Sequence, residues 1–181
     1  MMLSDYVSKG NGNEYNISDV KAATLAYFHG NELPSDVWIK KYALKDKVGR
    51  YWELTPDDMH WRLADEFARI ESKYPNPLSA TKIYDYLQHF SRIVPQGSPM
   101  FGIGNPYVST SFSNCAVIES PTDSISGIFE AAKNSANLYK FRFGVGLDLS
   151  ILRPEDALVA NSAGTSTGAW SFADLFSYVC R

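Results

Sequence analysis

Residues 111–118 read as a strand, residues 123–140 as a helix and residues 145–150 as a second strand, and this order constrains the fold more than any other feature of the chain. Parallel strands cannot be joined by a tight turn, so a strand, a long helix and a strand in succession predict a right-handed parallel crossover. A further strand candidate, residues 99–103, follows Pro95-Gln96-Gly97-Ser98, where the chain changes to glycine-rich loops and β-type runs. The chain therefore reads as α/β, with a mainly helical N-terminal region at 1–92 and the α/β part at 93–181.

The first ninety residues carry helix signals. Val20, Ala23, Leu25, Ala26 and Phe28 recur along residues 19–29 and stop at Gly30, a residue suited to the position after a helix. A second, short helix is expected to start at Ser35-Asp36 and run through Trp38-Ile39 towards Tyr42, and residues 46–50 read as a turn. In Thr55-Pro56-Asp57-Asp58 the threonine can cap, the proline suits the first helical position and the acids complement the positive end of the helix dipole. Met59, Leu63, Phe67 and Ile70 then make an apolar stripe until Tyr74-Pro75-Asn76-Pro77, and Ser79 caps a helix holding Ile83, Tyr86, Leu87 and Phe90. Near the end, Phe172, Leu175, Phe176 and Val179 predict a helix over 170–180. Its lack of a C-cap before Arg181 leads us to expect a folding unit that continues in further polypeptide.

Composition narrows the function classes. With 45% apolar and 20% charged residues and a net charge of −3 of mixed sign, the chain is globular in character and has no clustered basic surface for direct nucleic-acid binding. No apolar run reaches bilayer length, so no membrane partner is expected. Residues 1–16 are polar and unlike a secretory signal, which makes the cytoplasm the expected location. His29, His60 and His89 never fall within ligand spacing of Cys115, Cys180 or each other, so no metal site is expected.

Cys115, in Ser111-Phe112-Ser113-Asn114-Cys115-Ala116-Val117-Ile118, has two readings: a small buried core residue, or a thiol delivered to a pocket by a strand. Ser113 and Asn114 flank it where a structural strand would continue with Val or Ile, and such polar groups can hold a ligand hydroxyl. Cys180 reads as packed against its helix neighbours. Gly144-Val145-Gly146 lacks the third glycine of a dinucleotide fingerprint and reads as a tight turn. Asp123 reads as the N-cap of the crossover helix, whose amide end could also approach a nucleotide while Arg153 pairs with its phosphates.

Several ordered blocks together resemble the N-terminal part of the ribonucleotide reductase large subunit. They are Val94-Pro95-Gln96-Gly97-Ser98-Pro99-Met100, residues 113–118, Asp123-Ser124-Ile125, residues 142–147 and residues 161–172, within a likeness running from about Trp38 to Arg181. The resemblance implies a helical region followed by the first part of a ten-stranded α/β barrel, incomplete in this chain. It implies reduction of ribonucleotides by a cysteine thiyl radical that removes the ribose 3′ hydrogen, after which the 2′ hydroxyl leaves as water and two further cysteines become a disulfide.

Carried onto this sequence, the resemblance makes Cys115 the first-strand member of the reducing pair. Ser98 and Asn114 become substrate contacts, the latter at a position where many relatives have serine. Asp123 and Arg153 become binding residues for a deoxynucleoside triphosphate effector, with residues 142–146 in the loop that communicates with it. The other active-site cysteines, the carboxylate and the amide of the radical loop are expected from a downstream reductase segment. No cofactor is expected in this chain; a metal-containing small subunit or adenosylcobalamin would generate the radical elsewhere. A homodimer through the effector helix and a thioredoxin- or glutaredoxin-type reductant are the other implied partners, and no N-terminal activity-switch module is expected. The alternatives are an adenosylcobalamin-dependent reductase fragment and a non-catalytic nucleotide-binding or assembly module.

Overall fold

The computed structural model describes residues 13–180, so most of the polar start at 1–16 and the terminus at Arg181 lie outside the described residues. The chain divides into two compact units, Met1–Phe112 and Ser113–Arg181.

In the first unit α1 (Ile17–Tyr27) begins at Asn16, whose side chain accepts from the Asp19 N–H, and Gly30 takes φ +83° just past its end. Helix α2 (Glu32–Lys41) starts earlier than the expected Ser35, because Asn31 caps it and Pro34 falls in the first turn, where its missing N–H has no helical acceptor in any case. In the turn at 46–50, Asp46 Oδ1 accepts from the N–H groups of Val48 and Arg50. Helix α3 (Pro56–Glu71) opens with Asp58 accepting from the Thr55 N–H at 3.0 Å. Its Met59, Leu63 and Ala64 are fully buried and meet Val20, Trp38 and Ile39. Phe67 and Ile70, on the same stripe, lie beyond this core and are exposed.

Helix α4 (Ala80–Leu87), capped by Ser79, adds Ile83 and Leu87 to the core. It ends before Phe90, since residues 88–90 form a 3-10 turn in which His89 and Phe90 take φ +52° and +54°. The expected strand at 99–103 is instead helix α5 (Gly97–Gly102). Pro99 is tolerated in its first turn, Met100 N–H bonds to Gln96 O and Ile103 N–H to Pro99 O, and Arg62 of α3 donates to the carbonyls of Met100 and Ile103. Tertiary contact thus decides a segment whose local composition suggested a strand.

In the second unit β1 (Cys115–Val117), α6 (Ile125–Tyr139) and β2 (Gly144–Gly146) form the expected crossover, with β1 and β2 parallel and Cys115, Ala116 and Val117 opposite Gly144, Val145 and Gly146. Both strands are shorter than their sequence runs. Gly144-Val145-Gly146 is a strand and not a turn; the turn comes one step earlier, where Arg142 takes φ +67°. Helix α6 buries Ile128, Ala131, Ala132 and Ser135. Its N-cap is Ser124, which accepts from the Gly127 N–H at 3.1 Å; Asp123 lies one residue ahead and bonds elsewhere.

An antiparallel hairpin of β3 (Glu155–Leu158) and β4 (Thr165–Thr167), absent from the sequence expectation, leads into α7 (Gly168–Val179). Gly168, at φ +75°, makes that junction possible, because a Cβ there would come 2.9 Å from the Glu155 nitrogen.

Candidate active and effector sites

Cys115 opens β1 and is exposed, which overturns the reading of it as a core residue; neither it nor Cys180 is in a disulfide. Side chains alternate across a strand, so Cys115 and Val117 share the exposed face and half-buried Ala116 takes the other. Opposite the thiol stands Gly144, whose N–H bonds to the Asn114 carbonyl at 2.6 Å. A Cβ at Gly144 would lie 3.2 Å from Cys115 Sγ, and one at Gly146 would lie 3.2 Å from Val117 Cγ2. The two glycines therefore keep one flank of the β1 face clear of side chains. Their spacing of two was the signal for this role, since only in a strand do such positions share a face.

Cys180 is also exposed, so the expectation that it is packed away fails. Tyr139, at the end of α6, lies close enough to hydrogen-bond it, and burial followed by this contact pushes the Tyr139 hydroxyl above its ordinary range.

Asp123 and Arg153 come together although 30 positions apart. The Asp123 carboxylate accepts from Arg153 Nε at 2.7 Å and from its backbone N–H at 3.3 Å, while Arg153 Nη2 reaches the Asp123 carbonyl at 3.3 Å. This pair sits at the start of α6 beside Thr122, which approaches the first helical turn so closely that a Cβ on Gly127 would meet the Thr122 side-chain Oγ1 at 2.0 Å and its backbone at 2.9 Å. An arginine held at a helix N-terminus beside packed backbone can receive an anionic ligand.

Ser98 belongs to the first unit, buried on α5. Arg62, which holds the end of that helix, is itself buried and pairs with Glu53 at 2.7 Å. Burial pushes the Glu53 carboxyl up, while Arg62 and the Leu44 N–H pull against that shift. Arg62 and Glu53 did not figure in the sequence expectations. The available signal was an arginine three residues after Met59, on the core face of α3. Among the described residues no group of three or more His, Cys, Asp or Glu side chains is placed to hold a metal ion, and no helix is long and apolar enough to cross a membrane.

Residues 113–181 match the family described as ribonucleotide reductase, barrel domain, and the match starts at the residue where the second compact unit starts. The second unit is thus similar to ribonucleotide reductase barrel sequence over its whole length. Among curated proteins the chain is similar to ribonucleoside-diphosphate reductase large chain 2 of Saccharomyces cerevisiae, 30% identical over 105 residues, covering 57% of this chain and 12% of that protein. That alignment is longer than the second unit, so the likeness to the reductase extends into the helical unit.

The vitamin B12-dependent ribonucleoside-diphosphate reductase of Thermoplasma acidophilum is 43% identical over 54 residues, 30% of this chain and 7% of that one. The Neurospora crassa reductase large chain is 29% identical over 82 residues, 45% of this chain and 9% of that one. The matches thus span about a tenth of the length of these reductases.

Proposed function

We propose that this chain is part of a ribonucleotide reductase large chain, supplying one thiol of the reducing pair, contacts to the ribonucleotide and a binding site for a deoxynucleoside triphosphate effector. The observation that carries this reading is Cys115: an exposed thiol on the first strand of a parallel crossover, within sequence matching the reductase barrel, with a glycine beside it. A thiol that must meet first a ribose and then a second thiol needs an open approach, and Gly144 leaves one.

In the net reaction two thiols lose two protons and two electrons and join as a disulfide. The ribose 2′ C–O bond breaks, a C–H bond forms in its place and the oxygen leaves as water. Cys115 contributes one proton and one electron; the second thiol comes from elsewhere in the assembled enzyme. Ser98 and Asn114 offer a hydroxyl and an amide for hydrogen bonds to the nucleotide. A radical generator bound elsewhere supplies the initiating radical.

The rest of the ten-stranded barrel comes from further polypeptide, in keeping with the small share of the relatives that this chain spans. At the effector site Asp123 holds Arg153 at the start of α6 so that the guanidinium meets the triphosphate already oriented. Dimerisation through α6, a thioredoxin- or glutaredoxin-type reductant and a cytoplasmic location belong to the same proposal. The test is conversion of ribonucleotide to deoxyribonucleotide by the assembled protein with a dithiol reductant; effector binding without any conversion would point to a non-catalytic module.

The likeness to the B12-dependent enzyme favours, as a second reading, a reductase that uses adenosylcobalamin. Turnover on adding adenosylcobalamin, with no small subunit present, would establish it. Turnover that requires a metal-containing small subunit would refute it.

A further inference from the structure

Helix α5 has six residues, too few to hold its shape by its own hydrogen bonds. Its C-terminal half is gripped by one side chain: Arg62 Nη2 donates to Met100 O at 3.0 Å and Nη1 donates to Ile103 O. The third edge of the guanidinium, Nε, donates to Glu53 Oε1 at 2.7 Å, and Glu53 Oε2 is in turn fixed by the Leu44 N–H at 2.7 Å. Gly104, at φ +69°, lets the chain turn over the arginine stem, since a Cβ there would come 2.8 Å from Arg62 Cγ. Arginine and carboxylate are both almost wholly buried, so water does not compete for these bonds.

Ser98 lies on this helix two residues before Met100 and is 4% exposed. We propose that Arg62, oriented by Glu53, is a positioning residue for Ser98: the guanidinium sets where α5 sits and thereby where the serine hydroxyl meets the ribonucleotide. The proposal rests on the reading of Ser98 as a substrate contact. Only a planar, forked donor can serve two carbonyls and a carboxylate at once, so lysine cannot replace Arg62.

The test uses the assembled reductase with the double substitution Glu53→Gln and Arg62→Met, which removes both buried charges while roughly keeping their volume, and with Arg62→Lys, which keeps the ion pair but loses the fork. Both variants should raise KM for the ribonucleotide about tenfold, the scale of one hydrogen bond, with kcat changed less than twofold and effector affinity unchanged. A merely structural role would lower the amount of active enzyme and leave KM alone. If the double variant yields no folded enzyme, Arg62→Lys carries the same expectation by itself. Ser98→Ala is measured in parallel: if it raises KM while the Arg62 variants do not, the positioning role is wrong and the substrate contact stands. If Ser98→Ala leaves KM unchanged, the substrate contact falls and the positioning role falls with it.

Discussion

Asp123 and Arg153 are bound to each other through both backbone and side chain, at 2.7 Å from Nε to Oδ2 and 3.3 Å from the Arg153 N–H to Oδ1. One carboxylate thereby ties the start of α6 to the segment that leads from β2 into the hairpin. In the proposed enzyme, a triphosphate bound at this point engages both segments at once.

Replacing Arg153 with Ala is therefore expected to weaken triphosphate effector binding by roughly 1.5–3 kcal/mol, the scale of a hydrogen bond to a charged group. Calorimetry on the assembled protein reads this directly. Unchanged affinity would remove Arg153 from the phosphate site.

Gly127 offers a test of the local architecture. An alanine Cβ would come 2.0 Å from Thr122 Oγ1 and 2.9 Å from the Thr122 backbone, so the loop ahead of α6 has to move. Gly127→Ala should lower stability by about 1–3 kcal/mol, the usual cost of overpacking. A thermal midpoint equal to that of the parent chain would contradict this packing.

His60 predicts a pH dependence in the helical unit. It is fully buried, both ring nitrogens are without a hydrogen-bond partner among the described residues, and burial lowers its pKa, against the pull of Asp57 Oδ1 at 3.7 Å and with the push of His89 and Arg62. Because the folded pKa is depressed, the unfolded chain binds a proton first. Stability is then full above the unfolded pKa of about 6.5 and falls as the pH drops below it, by at most about 1.4 kcal/mol per pH unit. Urea midpoints measured between about pH 5 and 8 should show this slope, and His60→Leu should flatten it. An unchanged slope in that variant would assign the effect to other groups.

Two helix starts were legible in the sequence from local capping residues, whereas the caps Asn16 and Asn31 begin their helices earlier than the apolar pattern suggested. Ser79 and the Thr55-Pro56-Asp57-Asp58 box act within one turn of themselves, and the crossover around α6 follows from strand and helix periodicity alone. What else the local pattern missed was decided at a distance. Residues 99–102 are helical where Arg62, about forty positions earlier, takes the carbonyls of Met100 and Ile103, and Asp123 leaves the cap to Ser124 because Arg153 takes its carboxylate. At the candidate site, Cys115 could be singled out by its polar neighbours. Its exposure and the room beside it depend on the register with Gly144, which no single strand encodes.

That register predicts the outcome of filling the space. Gly144→Val should put a branched side chain against Cys115 Sγ, slow alkylation of the thiol by iodoacetamide severalfold and depress reductase turnover with effector binding retained. Equal alkylation rates in parent and variant would show that Gly144 does not govern access to the thiol.

The central claim is that Cys115 is one of the two reducing thiols, and Cys115→Ser in the assembled enzyme tests it most directly. Multiple turnover with a dithiol reductant is expected to be abolished while the effector still binds and the thermal midpoint stays near that of the parent. Full multiple turnover by the serine variant would contradict the account.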